Sequence, residues 1–111
     1  LLKPPFGVAT PWAYKNWKSS TELPGVDYAP QRWQDLELVN DLERPVFEKY
    51  TLLPAMKMWL REQPECHAAL MSGSGSTMFA VCQDHIAAGT LSTRALEHFG
   101  STLWTSVCEA G

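Results

Sequence analysis

The sequence predicts an α+β domain whose strands and helices follow one another in the order β-α-β-β-α-β, with extra helices in the first crossover. Short apolar segments of strand length lie at residues 1–3, 66–71, 78–82 and 102–108. Segments with helical spacing separate the first strand from the second and the third from the fourth. This order is the ferredoxin-like pattern, which predicts a single antiparallel sheet.

The chain opens with a short strand and an aromatic-rich helix. Two consecutive prolines end the strand, because neither can donate a hydrogen bond to a ladder. Thr10 followed by Pro11 predicts a helix N-cap with proline at the first helical position. We expect this helix to run through Trp17, and the polar segment 18–30 to form a loop.

The middle of the chain is expected to be helical. The weak periodicity of residues 31–39 favours a helix there. Asn40 and Glu43 match a capping box, in which each side chain satisfies a backbone N–H group of the other residue. Pro45 conflicts with a regular helix from Asn40, so the helix is expected to begin at Glu43 or Arg44, or to be kinked.

Start and stop signals mark the remaining helices. One helix is expected from about Thr51 to Pro64, with an apolar stripe on its buried face. The other is expected to be capped by Asp84 and stopped by Gly100, and Gly89 weakens its first part.

Composition and charge argue against several classes of protein. The net charge of -3 and pI near 5.5 provide no basic footprint for a nucleic acid. No apolar segment is long enough to cross a membrane, and no signal peptide is visible, so we expect a cytoplasmic protein.

The odd number of cysteines, with Cys82 and Cys108 in apolar segments, predicts buried reduced thiols rather than a metal site. Lys3, Lys15 and Lys18 predict either a solvated basic surface or a preference for an anionic ligand.

The most distinctive segment is a loop of alternating serine and glycine between two apolar strands. Glycines let backbone N–H groups converge into an anion-binding nest, and the hydroxyl groups add donors. The loop is suited to contact a phosphate group; a hairpin turn that serves only packing is the other interpretation. The strand after the loop is apolar on both faces, which predicts a central position in the sheet. The candidate residues are Ser72, Gly73, Ser74, Gly75, Ser76 and Thr77.

Three separated segments resemble the GHMP kinases, and among them the 4-diphosphocytidyl-2-C-methyl-D-erythritol kinases. Residues 5–14 resemble the family's Pro, Gly-Val-Ser, Thr, Tyr segment, residues 40–43 its Asn-Asp-Leu-Glu helix start, and residues 70–81 its glycine loop. The order and spacing make the resemblance specific over most of the chain. Residues 18–34 are the least similar, and Ala9 stands where serine is more usual.

The resemblance implies a two-lobed enzyme that uses ATP and Mg²⁺ to phosphorylate the 2-hydroxyl of 4-diphosphocytidyl-2-C-methyl-D-erythritol, a step of non-mevalonate isoprenoid biosynthesis. The family's ATP loop and its catalytic Lys and Asp belong to an N-terminal lobe, and neither is found here. Because the chain also opens on Leu1 without an initiator Met, we expect residues 1–111 to be the single C-terminal, substrate-binding domain of a longer protein. Alone, it is expected to have no catalytic residue, metal site, bound cofactor or kinase activity.

The resemblance also implies roles for individual residues. Thr10 would contact the methylerythritol region, although it can equally serve as a helix cap. Tyr14 would stack on the cytosine ring, with core packing as the other interpretation. The loop residues 72–77 would lie near the substrate diphosphate. Helix capping and bracing of the loop, rather than substrate contact, are expected of Asn40, Asp41 and Glu43.

Other interpretations of the chain stay open at this point. It can be a stand-alone ferredoxin-like ligand-binding or regulatory module, because one fold supports many functions. It can also be a GHMP kinase lobe for mevalonate or homoserine, although an aromatic at Tyr14 suits a cytosine ring better. The five tryptophans are expected in the core or at the contact with the missing N-terminal lobe. In a separated lobe, some would form an exposed apolar patch and favour a homodimer.

Overall fold

A computed structural model describes residues 1–73 and 75–107, and within them it confirms the antiparallel α+β fold. The elements are β1 (Leu2–Lys3), α1 (Thr10–Asn16), β2 (Gln31–Trp33), β3 (Leu36–Leu38), α2 (Glu43–Lys49), α3 (Leu52–Glu62), β4 (Cys66–Met71), β5 (Met78–Cys82), α4 (His85–Phe99) and β6 (Trp104–Thr105). The main sheet has the strand order β4-β5-β1-β6, and each neighbouring pair is antiparallel. The strands β2 and β3 form a separate two-stranded sheet.

The strand that is apolar on both faces takes the predicted central position. β5 lies between β4 and β1, with Met78 opposite Met71 on one side and opposite Leu2 on the other. β1 then pairs with β6 through Leu2 and Thr105. Helices α3 and α4 pack against β5, and α3 also covers β4. The buried core that results contains Leu2, Ala13, Val46, Phe47, Leu53, Met56, Leu60, Ala69, Met71, Met78, Leu91, Ala95 and Leu103.

The helix predicted over residues 31–39 is wrong, because β2 and β3 form a hairpin there. Gln34 takes a positive φ of 55° in the connecting turn. The side chain of Gln31 is buried and pairs with the backbone of Ala69 in β4. Its Nε2 donates to the Ala69 carbonyl over 2.7 Å, and its Oε1 accepts from the Ala69 N–H over 3.0 Å. Long-range pairing with the sheet therefore overrides a weak local preference.

Two predicted helix caps are also wrong. The N-cap of α1 is Ala9, so Thr10 is the first helical residue rather than the cap. The helix α2 begins at Glu43, one of the starts that the position of Pro45 predicts, but its N-cap is Leu42. The capping box does not form, because Glu43 is turned into the protein interior.

The last part of the chain follows its local signals closely. Asp84 caps α4 by accepting a hydrogen bond from the Ala87 N–H over 2.8 Å, and Gly100 ends the helix with a φ of 99°. Gly89 does not interrupt this helix. The strand predicted at residues 102–108 is shorter, covering Trp104–Thr105, and Cys108 lies outside the described residues.

No helix among the described residues is long and apolar enough to cross a membrane. Two cysteines, Cys66 and Cys82, lie opposite each other on β4 and β5 as free, partly buried thiols. Burial raises the pKa of Cys66 to about 12 and also raises the pKa of Cys82. Both thiols are therefore protonated near neutral pH.

This protonation makes Cys66 slow to alkylate. At pH 8 a thiol with a pKa of about 12 holds roughly a thousandfold less thiolate than an unperturbed cysteine, and the thiolate is the reacting form. We expect iodoacetamide to label Cys66 far more slowly in the folded protein than after unfolding in guanidinium, as measured by peptide mass spectrometry. Equal rates in the two states would contradict the buried, protonated thiol.

Candidate functional site

The serine and glycine loop is the turn of the β4–β5 hairpin. The Ser72 N–H donates to the Thr77 carbonyl over 2.8 Å, and the Gly75 N–H donates to the Ser72 carbonyl over 3.0 Å. Gly73 and Gly75 take positive φ angles of 58° and 87°, which favour glycine. Ser74 lies outside the described residues. The N–H groups of Ser72 and Gly75 therefore close the turn itself, and fewer loop N–H groups remain to bind an anion than the sequence predicts.

The chain segment before α1 meets this loop. The hydroxyl of Ser76 is buried and donates to the carbonyl of Phe6. The Nζ of Lys3 donates to the same carbonyl over 3.2 Å and to the Pro4 carbonyl over 3.3 Å. Ser76 thus joins the loop to the first segment, and a positive charge lies beside that junction.

The segment before α2 also meets the loop. The side-chain amide of Asn40 donates to the carbonyl oxygens of Met71 and Gly73 over 2.8 Å and 2.7 Å. Its Oδ1 accepts from the Leu42 N–H over 3.0 Å, which holds the amide in place. Asp41 is exposed and contributes its backbone carbonyl to the Arg44 N–H. The three segments that the sequence singled out therefore converge on one hairpin turn.

A buried ion pair between Glu43 and Lys57 holds the end of β4, where the chain enters the same turn. The carboxylate of Glu43 accepts from the Met71 N–H over 2.9 Å and from the Lys57 Nζ over 2.7 Å. Lys57 also donates to the Asp27 carbonyl over 2.6 Å, and the side chains of Glu43 and Lys57 are 3% and 1% exposed. Burial raises the pKa of Glu43, while the hydrogen bonds from Lys57 and Met71 act to lower it.

Sequence reasoning missed Lys57. Its ammonium group lies 5.7 Å from the ring centre of Tyr28 and 5.9 Å from that of Phe47, a cation–π environment. The available signal was its position in α3 among Leu53, Met56 and Leu60 on the apolar face. A lone lysine on a buried stripe requires a buried acidic partner.

Helix α1 presents the two residues expected to contact substrate. Ala13 is fully buried and holds the helix against the core. Thr10 and Tyr14 are one turn apart, so they lie on the same face, and both are exposed. Tyr14 is 66% exposed, which contradicts core packing. Trp12 instead packs inward against Tyr50, with ring centres 6.3 Å apart.

The loop residues differ in what they offer to a ligand. Ser72 and Gly73 are exposed, Gly75 and Thr77 are partly buried, and Ser76 is 1% exposed. The position of Ser76 suits bracing of the loop rather than ligand contact. No group of three or more His, Cys, Asp or Glu side chains within residues 1–73 and 75–107 is placed to hold a metal ion.

Gly75 is the tightest point of the turn. A Cβ added there would lie 2.9 Å from the Sδ of Met71 and 3.6 Å from Cγ1 of Val46. A Cβ added at Gly73 would meet nothing within 4 Å. The two glycines share a positive φ but differ in the space around them, so they form a matched pair.

We expect Gly75→Ala to destabilise the domain more than Gly73→Ala does. The left-handed backbone costs about 1–2 kcal/mol for alanine at either site, and only Gly75→Ala adds a clash with the core, of about 1–3 kcal/mol. Urea unfolding of both variants measures the difference. Equal losses of unfolding free energy would show that the Met71 contact does not constrain the turn.

Comparison with known proteins agrees with this architecture. The family model described as GHMP kinases C terminal matches residues 28–101. Curated relatives named 4-diphosphocytidyl-2-C-methyl-D-erythritol kinase include those of Methylacidiphilum infernorum, 43% identical over 81 residues, and Cytophaga hutchinsonii, 39% identical over 84 residues. Each alignment covers 73% of this chain, and 28% and 31% of the relative. The relative from Moorella thermoacetica is 30% identical over 118 residues, covering 95% of this chain.

The chain spans between 28% and 41% of the length of these three relatives. No solved structure matches it. The matched residues 28–101 include the segment 40–43, the glycine loop and α4, whereas Thr10 and Tyr14 lie before them. With two thirds of its residues matched and the fold in agreement, the chain belongs to the GHMP kinase C-terminal domain family.

Proposed function

We propose that this domain is the C-terminal lobe of an ATP-dependent kinase that phosphorylates the 2-hydroxyl of 4-diphosphocytidyl-2-C-methyl-D-erythritol. The single observation that carries the proposal is the match of the chain to relatives that bear this name, up to 43% identical. The family match alone would support a small-molecule kinase lobe without choosing the substrate.

The exposed groups of α1 and of the segment before it suit this substrate. The exposed ring of Tyr14 offers a face for the cytosine ring, and stacking of a base on an aromatic side chain is worth about 1–3 kcal/mol. Thr10, one turn away on the same face, offers a hydroxyl to the methylerythritol part. The ammonium of Lys3, bonded to the Phe6 carbonyl beside Ser76, supplies positive charge for the diphosphate.

In this proposal the domain positions the substrate and another lobe supplies the chemistry. Phosphoryl transfer depends mainly on positioning and on electrostatic stabilisation of the transferred group. The exposed part of the loop, at Ser72 and Gly73, would meet the substrate, while Ser76 and Asn40 keep the loop rigid. ATP and Mg²⁺ would be bound by the other lobe of the kinase, as the family resemblance implies.

A chimera tests the proposal directly. The whole chain replaces the corresponding C-terminal lobe of the Methylacidiphilum infernorum relative, and ATP-dependent phosphorylation of 4-diphosphocytidyl-2-C-methyl-D-erythritol is measured. We expect turnover by the chimera. The variant Tyr14→Ala should raise KM roughly 5- to 150-fold through lost stacking, while the matched control Tyr14→Phe keeps the ring and the KM.

The outcomes separate the alternatives. A folded chimera without turnover on any GHMP substrate would contradict the kinase lobe and favour a stand-alone binding module. Turnover only with mevalonate or homoserine would keep the family and overturn the substrate. Turnover with an unchanged KM in Tyr14→Ala would remove Tyr14 from the binding site.

A further inference from the structure

The β4–β5 hairpin carries two cysteines at its open end, the end away from the serine and glycine turn. Cys66 is the first residue of β4 and Cys82 is the last residue of β5, and the two lie directly opposite each other. Opposed residues of an antiparallel pair have Cα atoms about 4.5–5.5 Å apart. A disulfide bond requires about 4.4–6.8 Å between Cα atoms. The two strands therefore hold these cysteines at a separation that a disulfide can bridge without movement of the backbone.

An irregularity in β4 creates this pairing. From Met71 back to Ala68 the register is regular, and its continuation would place His67 opposite Cys82. The register shifts between Cys66 and Ala68, so Cys66 takes that place instead. A β-bulge of this kind re-aims a side chain relative to the partner strand. The bulge therefore pairs a thiol with a thiol where a regular ladder would pair a histidine with a thiol.

Both thiols lie on the same face of the hairpin. Cys66 and Cys82 each pack against the buried core, and both are free and only partly buried. The Sγ of Cys66 donates to the Ala68 carbonyl over 3.2 Å, and because a thiol is a weak donor, little is lost when the sulfur turns to another partner. Burial is the main cause of the raised pKa of Cys66, and the neighbouring Cys82 raises it further, as expected for two adjacent thiols.

We propose that Cys66 and Cys82 are a redox-active pair that forms a reversible disulfide within the native fold and locks the open end of the hairpin. A low-molecular-weight disulfide such as glutathione disulfide is the oxidant. The thiolate of one cysteine attacks it and releases one glutathione, and the thiolate of the second cysteine then displaces the other glutathione. The two cysteines lose two electrons and two protons in total, and both glutathione molecules leave as thiols. The proposal goes beyond the proposed function and does not depend on it.

The environment of the pair sets the rate of this exchange. Only the thiolate attacks a disulfide, and both thiols are protonated near neutral pH because burial raises the pKa of each. Exchange is therefore slow, and the bond responds to prolonged oxidising conditions rather than to a brief pulse of oxidant.

The disulfide would close a loop that contains both strands and the whole serine and glycine turn. Cross-linking the two strand ends removes conformational freedom from the unfolded chain, which stabilises the folded state relative to it. The turn at the other end is already held by the hydrogen bonds of Asn40 and Ser76. The oxidised hairpin would therefore be fixed at both of its ends.

Oxidation of the whole chain by glutathione disulfide in mildly alkaline buffer tests the pair. Cys66 and Cys82 fall in one tryptic peptide, residues 62–94, whereas Cys108 falls in another. After alkylation without reduction, we expect peptide 62–94 to be unlabelled and lighter by two hydrogen atoms than its reduced form, and dithiothreitol should reverse the change. The melting temperature of the oxidised chain should rise by about 5–15 °C. The matched control Cys82→Ala should show no rise with the same oxidant.

The chain unfolded in guanidinium provides the reference for the reagent. If peptide 62–94 forms the bond only in the unfolded chain, the native strands hold the sulfur atoms apart and the proposal is overturned. A native bond from either cysteine to Cys108 would overturn it as well. A native bond between Cys66 and Cys82 that leaves the melting temperature unchanged would contradict the lock.

Discussion

The carboxylate of Glu43 is the point at which the helical layer, the sheet and the hairpin turn are joined. It accepts the backbone N–H of Met71 at the end of β4 and the ammonium of Lys57 in α3, and Lys57 in turn holds the carbonyl of Asp27. A carboxylate and an ammonium removed from water are costly unless their remaining hydrogen-bonding groups are satisfied. This requirement fixes α2, α3 and the loop at residue 27 relative to β4.

The rigid turn follows from that constraint. The Met71 N–H donates to the Glu43 carboxylate, and the Met71 carbonyl accepts from the Asn40 amide. On the other side of the turn, the Ser76 hydroxyl donates to the Phe6 carbonyl. Many of the loop's hydrogen-bonding groups therefore stabilise the conformation of the loop itself. Under the proposed function, recognition of the ligand falls mainly to the ring of Tyr14 and the ammonium of Lys3. Under the same proposal, this surface positions the substrate and another lobe supplies the reacting groups.

Local signals predicted the strands that flank the turn and the helix capped by Asp84, because apolar segments and caps act over a few residues. The β2–β3 hairpin was missed because Gln31 is held by the backbone of Ala69, 38 residues away. Glu43 was assigned to a helix cap for a similar reason, because its partner Lys57 lies 14 residues away, beyond the range of a capping pattern. The convergence of the three segments was predicted only through the family resemblance.

A thermodynamic cycle on the buried pair tests this account most directly, with urea unfolding of Glu43→Gln, Lys57→Met and the double variant. Each single change should cost about 3–5 kcal/mol, because it leaves one buried group without its ionic partner. The double variant should cost clearly less than the sum, and amide exchange at Met71 should accelerate in Lys57→Met. Additive losses below about 0.5 kcal/mol each, with Met71 exchange unchanged, would contradict the role of Glu43 as the junction of the fold.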